Sequence, residues 1–257
     1  MKETAPTISA LLITYNEIDH IEAVIETISF ADEIIVVDSH STDGTFEKLS
    51  EIPQVKVFLR KFKNFPEQRN FAISQATCDW ILFVDADERL TPNLQKEILD
   101  TLKSKPTADA FKIRRQFVFN DKIMRFSGLQ TDKVLRLFRN GVAQYDKDRL
   151  VHELLDYKGE YKLLKHPMMH YSFSDYESYK KKTEHYGYLK AHELLLKGKR
   201  PNWFHFVIKP AYKFITNYVF RLGFLDGKEG YTICSLNAYG VFYRYKALQK
   251  LLASTPK

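Results

Sequence analysis

Trp80-Ile81-Leu82-Phe83-Val84-Asp85-Ala86-Asp87 is the stretch on which the reading of this chain turns. Five apolar residues in a row read as a strand buried on both faces, the kind that ends at the rim of an open α/β sheet. Side chains alternate along a strand, so Asp85 and Asp87 would leave the rim on the same side. Two like charges side by side call for a compensating cation. A divalent metal with oxygen ligands, Mg²⁺ or Mn²⁺ arriving with substrate phosphates, meets that need. A pair of solvated loop carboxylates is the plain alternative for an isolated Asp-x-Asp.

Outward from that stretch, the first ninety residues alternate strand and helix signals. Ile8 to Ile13 is a strand, Asn16 to Phe30 a helix carried by Ile18, Ile21, Val24, Ile25 and Ile28, and Ile34 to Val37 a second strand ending at Asp38. Ser41-Thr42-Asp43-Gly44-Thr45 offers capping chemistry before a helix over Phe46 to Ile52. Val55 to Leu59 reads as a third strand and Pro66 to Gln75 as a helix. This alternation predicts a mostly parallel sheet with ligands at the strand carboxyl ends.

After Pro92 the pattern changes: a helix over Asn93 to Lys103, strands over Ala110 to Phe119 and Val134 to Phe138, and a helical, Lys-, Tyr- and Phe-rich region beyond about residue 172. The expected organisation is a catalytic domain over 1–172 and a helical extension over 173–257, packed on the first. At 257 residues, 44% hydrophobic and 28% charged, the chain is ordinary globular material rather than disordered. Cys78 and Cys234 lack metal-type spacing and read as core residues of a reducing compartment. Met1 to Thr7 has no signal-peptide character, so a cytoplasmic location is expected.

The first strand runs into Thr14-Tyr15-Asn16-Glu17, a loop with no glycine and a bulky Tyr15. A dinucleotide-binding loop or a sugar-phosphate nucleotidyltransferase would need glycines there to admit phosphates. Any bound diphosphate must therefore be neutralised elsewhere. Asp38, Asp85 and Asp87 at successive strand ends suit a nucleotide diphosphate held through metal, with Tyr15 free to stack on a base. Each residue alone could equally be a core aromatic or a capping acid.

The set Thr14-Tyr15-Asn16-Glu17, Val36-Val37-Asp38-Ser39 with Ser41-Thr42-Asp43-Gly44-Thr45, Gln68-Arg69-Asn70-Phe71-Ala72 and Asp85-Ala86-Asp87-Glu88 resembles glycosyltransferase family 2. It is most similar to the subgroup of bacterial lipopolysaccharide-core β-glucosyltransferases, through Val151-His152-Glu153 and Phe224-Leu225-Asp226-Gly227 as well. The resemblance implies an α/β GT-A fold (a Rossmann-like nucleotide-diphospho-sugar transferase): a mixed sheet flanked by helices, with a basic helical C-terminal extension. It implies inversion at the anomeric carbon, a nucleotide-diphospho-sugar donor (UDP-glucose by subgroup) and a glycolipid or oligosaccharide acceptor. Thr14 and Tyr15, with Asn16 and Glu17 in the same loop, would line the base pocket and Asp38 would hydrogen-bond the base. Arg69 would sit near base or phosphates, Asp85 near ribose and metal, and Asp87 would be the main metal ligand. Some metal-dependent GT-A enzymes add a late histidine, for which His170 is the candidate. The wider family takes its base from a later Glu-Asp motif, absent here; Glu153 is the candidate catalytic base. Arg136 and Arg139 could contact phosphates, or line a solvated strand edge. A non-catalytic nucleotide-sugar or glycan-binding protein is the competing reading.

The charge is unevenly placed. Residues 1–157 hold 21 Lys and Arg against 25 Asp and Glu, a net of −4; residues 158–257 hold 18 against 7, a net of +11. Trp203 to Leu225 is apolar and aromatic but interrupted by Lys209, Pro210, Lys213, Asn217 and Arg221, which disfavours a spanning helix. His205, Lys209, Lys213, Asn217 and Arg221 recur every four residues as one polar stripe. Basic, aromatic-rich helices of this kind lie on anionic membrane surfaces, here the inner face of the cytoplasmic membrane. The other reading packs the apolar face inward and leaves the stripe in water. No nucleic-acid motif is present, and no nucleic-acid partner is expected.

Overall fold

The apolar runs of the N-terminal region form β1 (Ile8–Thr14), β2 (Glu33–Asp38), β3 (Val55–Leu59) and β4 (Trp80–Phe83). Between them lie α1 (Ile18–Ile28), α2 (Thr45–Ser50) and α3 (Phe65–Gln75). The computed structural model describes residues 5–146, 155–157, 159–172 and 175–254. They divide into two units, one from the described residues of Met1–Arg115 and Asp132–His170, the other from those of Gln116–Thr131 and Tyr171–Lys257.

In the first unit β1 pairs in parallel with both β2 and β4, and β2 with β3. The chain continues through β5 (Glu88–Leu90), α4 (Pro92–Lys103), β6 (Ala110–Phe119), β7 (Lys122–Ile123) and β8 (Lys133–Arg139). β8 runs antiparallel between β4 and β6, which makes the sheet mixed. Short pieces follow: β9 (Gln144–Tyr145) with β10 (Leu155–Asp156), then β11 (Tyr161–Leu163) and β12 (Met168–His170).

Alternation along the central strands builds two apolar layers. Ile8, Leu12, Ile34, Val36, Trp80 and Leu82 meet α1 and α4 on one face. Leu11, Ile35, Val37, Ile81 and Phe83 meet Ala72 and Ile73 of α3 on the other. Covering both faces is what demands the apolar runs Ala10 to Ile13 of β1 and Ile34 to Val37 of β2. Helix starts follow local chemistry: Asn64 accepts from Glu67 N at 2.8 Å ahead of α3, and Thr91 caps α4, each with a proline in the first turn. A small antiparallel pair, β5 with β12, sets His170 opposite Glu88. It ties the strand after Asp87 to a segment some eighty residues later.

The second unit holds the end of β6 and β7 and is otherwise helical. α5 (Tyr176–Leu196) is followed by α6 (Trp203–Phe206), α7 (Ile208–Ile215), a π turn over Thr216–Phe220, a 3₁₀ turn over Gly223–Asp226 and α8 (Gly227–Ser254). α5 and α8 approach closely at Gly240, where a Cβ would fall 2.4 Å from Thr183 Cγ2. Asp226 is buried and accepts from Arg125 N, Phe126 N and Ser127 Oγ at 2.8 to 3.0 Å. The Phe224-Leu225-Asp226-Gly227 segment therefore anchors the 125–127 loop. Among the described residues no helix is long and apolar enough to cross a membrane.

Candidate active site

β2, β1 and β4 lie side by side, and their carboxyl ends carry Asp38, Thr14 and, two residues past the strand, Asp85. Thr14 Oγ1 donates to Asp38 Oδ2 at 2.9 Å, and Ser41 donates to Asp38 through both N and Oγ. Asp38 is fully buried and joins the loops after β1 and β2. Asn16, in the left-handed region at φ 56° that Asn tolerates, donates its N–H to Ser41 Oγ and accepts from Thr42 N. Glu17 N donates to Thr45 Oγ1, and Ile18 N to Asp43 Oδ2. These bonds hold Thr14-Tyr15-Asn16-Glu17 as a fixed shelf from which the Tyr15 ring projects, 59% exposed.

Beside the shelf is a cluster of charges. Arg69, on α3, donates to Asp85 Oδ1 at 2.8 Å while its guanidinium covers the Phe83 ring at 4.7 Å. Arg136, on β8, donates to Asp85 Oδ2 and to Glu88 Oε1, the latter at 2.7 Å. Arg115 lies 3.5 Å from the same Glu88 oxygen, and Asp85 N donates to Glu88 Oε2. Burial works against the Asp85 charge, but Arg136 and then Arg69 outweigh it and hold the carboxyl far below the usual range. Burial pushes Glu88 up in spite of Arg136, and Asp85 adds to the rise. Glu17 is raised to about 7, first by burial and then by Asp87 and Asp43.

Asp87 takes a different partner: its Oδ2 lies 3.1 Å from His170 Nε2. That contact exists because β5 and β12 pair. Among the described residues no three His, Cys, Asp or Glu side chains converge as a preformed metal cage. A carboxylate and an imidazole side by side nevertheless fit a divalent ion that takes its other ligands from diphosphate and water. Asp85, bound by two arginines, stands next to this pair.

The structure thus brings Thr14, Tyr15, Asn16, Glu17, Asp38, Arg69, Asp85, Asp87 and His170 to one edge of the first unit. Glu153, with His152, lies outside the described residues. Arg139 turns away to Asp109 at 2.8 Å. Arg136 is buried among carboxylates rather than lining a solvated edge. Glu88 and Arg115 were not anticipated. Glu88 follows Asp87 directly, but nothing in that spacing signals that it turns inward.

Known proteins resemble this chain over most of its length. Residues 9–166 match the family model described as Glycosyl transferase family 2. An uncharacterized glycosyltransferase of Rickettsia felis is 31% identical over 95% of this chain and 90% of its own length. LpsC of Rhizobium meliloti, named a lipopolysaccharide core biosynthesis glycosyltransferase, is 25% identical over 93% of each chain. The crystal structure of S. aureus TarS 1-349 in complex with UDP aligns with TM-score 0.48 at 16% identity, over 97% of this chain and 92% of that one.

Proposed function

This chain belongs to glycosyl transferase family 2, and from that premise we propose that it transfers a sugar, glucose from UDP-glucose, to a hydroxyl of a glycolipid or lipopolysaccharide-core acceptor, inverting the anomeric carbon. The site is assigned to the inner face of the cytoplasmic membrane. The observation that carries the reading is the Asp87–His170 pair beside Asp85, next to a rigid shelf presenting an exposed Tyr15. The name of LpsC supports the acceptor class.

Tyr15 stacks on the base of the nucleotide, and Asp38, held in place by Thr14 and Ser41, hydrogen-bonds the base through the acceptor capacity left on Oδ1. Arg69 keeps Asp85 ionised and lends positive charge near the diphosphate. Asp87 and His170, with Asp85 beside them, would hold Mg²⁺ or Mn²⁺, which when bound supplies Lewis-acid stabilisation of the leaving diphosphate. Glu153 is assigned the base. It takes the proton of the acceptor hydroxyl as that oxygen bonds to C1 from the face opposite the diphosphate, and the C1–O bond to the nucleotide breaks.

The test is transfer from UDP-[¹⁴C]glucose to a lipid-linked core-oligosaccharide pool. Glu153→Gln should lower kcat by roughly 10²- to 10⁴-fold while nucleotide affinity holds. An unchanged kcat overturns the base assignment. Nucleotide binding with no turnover from any donor over the acceptor pool would make the protein a binder instead of an enzyme.

A further inference from the structure

Helices that pack on a protein core bury their apolar stripe and turn polar residues to water. The segment from α6 to the 3₁₀ turn packs Phe206 on Phe242 and Phe214 on Tyr231 of α8, yet it also turns polar side chains inward and leaves a second apolar face in water. Lys209 Nζ donates to Tyr245 OH of α8 at 2.7 Å and sits over its ring, and the His205 ring lies 4.6 Å from the same ring. Asn217 is buried. The polar stripe therefore points inward, His205 and Lys209 at α8 and Asn217 at Gly128. Phe204, Ile208, Tyr212, Ile215 and Val219, spaced four, four, three and four residues apart, share the opposite face, and all are exposed. Trp203, Val207, Phe220, Leu222, Phe224, Leu225 and Tyr231 extend it, with Trp203 and Tyr212 each 70% exposed and Phe220 76%. A contiguous apolar surface of this kind marks a contact with something other than water.

The charges around it say what. Lys197, Lys199 and Arg200 precede it, and Arg221 and Lys228 lie among its residues, all exposed. The carboxylates between residues 196 and 231 are Asp226 and Glu229. Asp226 is buried on the 125–127 loop, and Glu229 is bound to Lys122 at 2.9 Å. A second copy docking face to face would set these basic rims against each other. Aromatic rings and aliphatics framed by cations complement the headgroup boundary of an anionic bilayer.

We propose that the outward face of residues 203–231 is a membrane-docking surface, its aromatic residues entering the headgroup boundary of an anionic lipid leaflet and its basic rim bound to the headgroups. This names the partner surface for a glycolipid acceptor, and in that respect it rests on the function proposed above. Its physical test needs neither donor nor acceptor.

The test is flotation of the full chain with phosphatidylcholine vesicles, with and without roughly 30 mol% phosphatidylglycerol, in about 0.1 M NaCl. The wild type should float with the anionic vesicles. The triple variant Trp203→Glu, Tyr212→Glu, Phe220→Glu should bind about tenfold or more weakly. Its melting profile should be unchanged, because all three side chains already face solvent. Brominated lipid should quench the fluorescence of Trp203, whereas Trp80 is buried and does not report. A wild type that stays at the bottom at low salt, or a triple variant that floats as well, overturns the proposal. So does a concentration-dependent dimer, abolished by the triple variant, that forms without vesicle binding. Failed flotation leaves the transfer assay standing, and failed transfer leaves flotation standing.

Discussion

Arg136→Met should be the most damaging single change to the first unit that leaves its apolar core intact. Arg136 is 5% exposed and donates to two carboxylates, Asp85 and Glu88. Removing the guanidinium leaves Asp85 with Arg69 at 2.8 Å, but Glu88, with no exposed surface, keeps among the described residues Arg115 at 3.5 Å and the Asp85 N–H. Breaking a buried pair costs about 3–5 kcal/mol because the remaining charge has no solvent. Since Asp85 retains Arg69, the low end applies, about 3 kcal/mol at pH 7. At roughly 2–4 °C per kcal/mol this lowers Tm by about 6–12 °C. Glu88 already titrates above its ordinary value through burial, and losing Arg136 raises it further. The folded variant then binds a proton that the unfolded chain does not, so its stability should rise as pH falls from 7 toward 5. Adding Glu88→Gln should recover about half the loss or more, and the double-mutant cycle measures that coupling. Urea unfolding followed by circular dichroism reads all four proteins. A loss under about 1 kcal/mol for Arg136→Met, or a stability flat between pH 7 and 5, would mean that Arg136 does not neutralise a buried Glu88.

Glu33 gives a pH dependence of opposite sign. Burial opposes its charge, but hydrogen bonds from Lys56, Ser9 and Thr77 outweigh that and lower it to about 2. Its contribution, at most about 3 kcal/mol, is present above pH 4.5 and lost as pH falls toward 2, so Glu33→Gln should flatten the acid limb of the stability curve. Gly230→Ala should destabilise the second unit by about 1–3 kcal/mol, because its Cβ would fall 2.0 Å from the Gly223 carbonyl oxygen, a backbone atom that cannot swing aside. Chemical denaturation distinguishes it from a neutral change.

What the chain discloses before folding depends on how far its signals reach. β1 to β4 and the helices between them were legible within a residue or two, because burial on both faces writes a continuous apolar run. β5 and β12 were not. Glu88-Arg89-Leu90 has no periodicity, and its partner Met168-Met169-His170 lies eighty residues on. The contact of His170 with Asp87 depends on that pairing, so sequence could nominate His170 but not seat it. Arg136 looked equally suited to phosphate or solvent; only the place of β8 between β4 and β6 buries it. In Trp203 to Leu225 the four-residue polar period was legible, whereas its direction was not. Periodicity states which residues share a face and leaves open which face meets the protein, and here Tyr245 decides that.

On the function proposed above, Asp87 and His170 hold the cation through which a nucleotide diphosphate binds beside Tyr15. Titration calorimetry of UDP into the wild type and Asp87→Ala, with Mn²⁺ and with EDTA, tests it most directly. UDP should bind the wild type only with Mn²⁺, and Asp87→Ala should lose that binding while melting as the wild type does. UDP affinity unchanged by EDTA or by Asp87→Ala would contradict it.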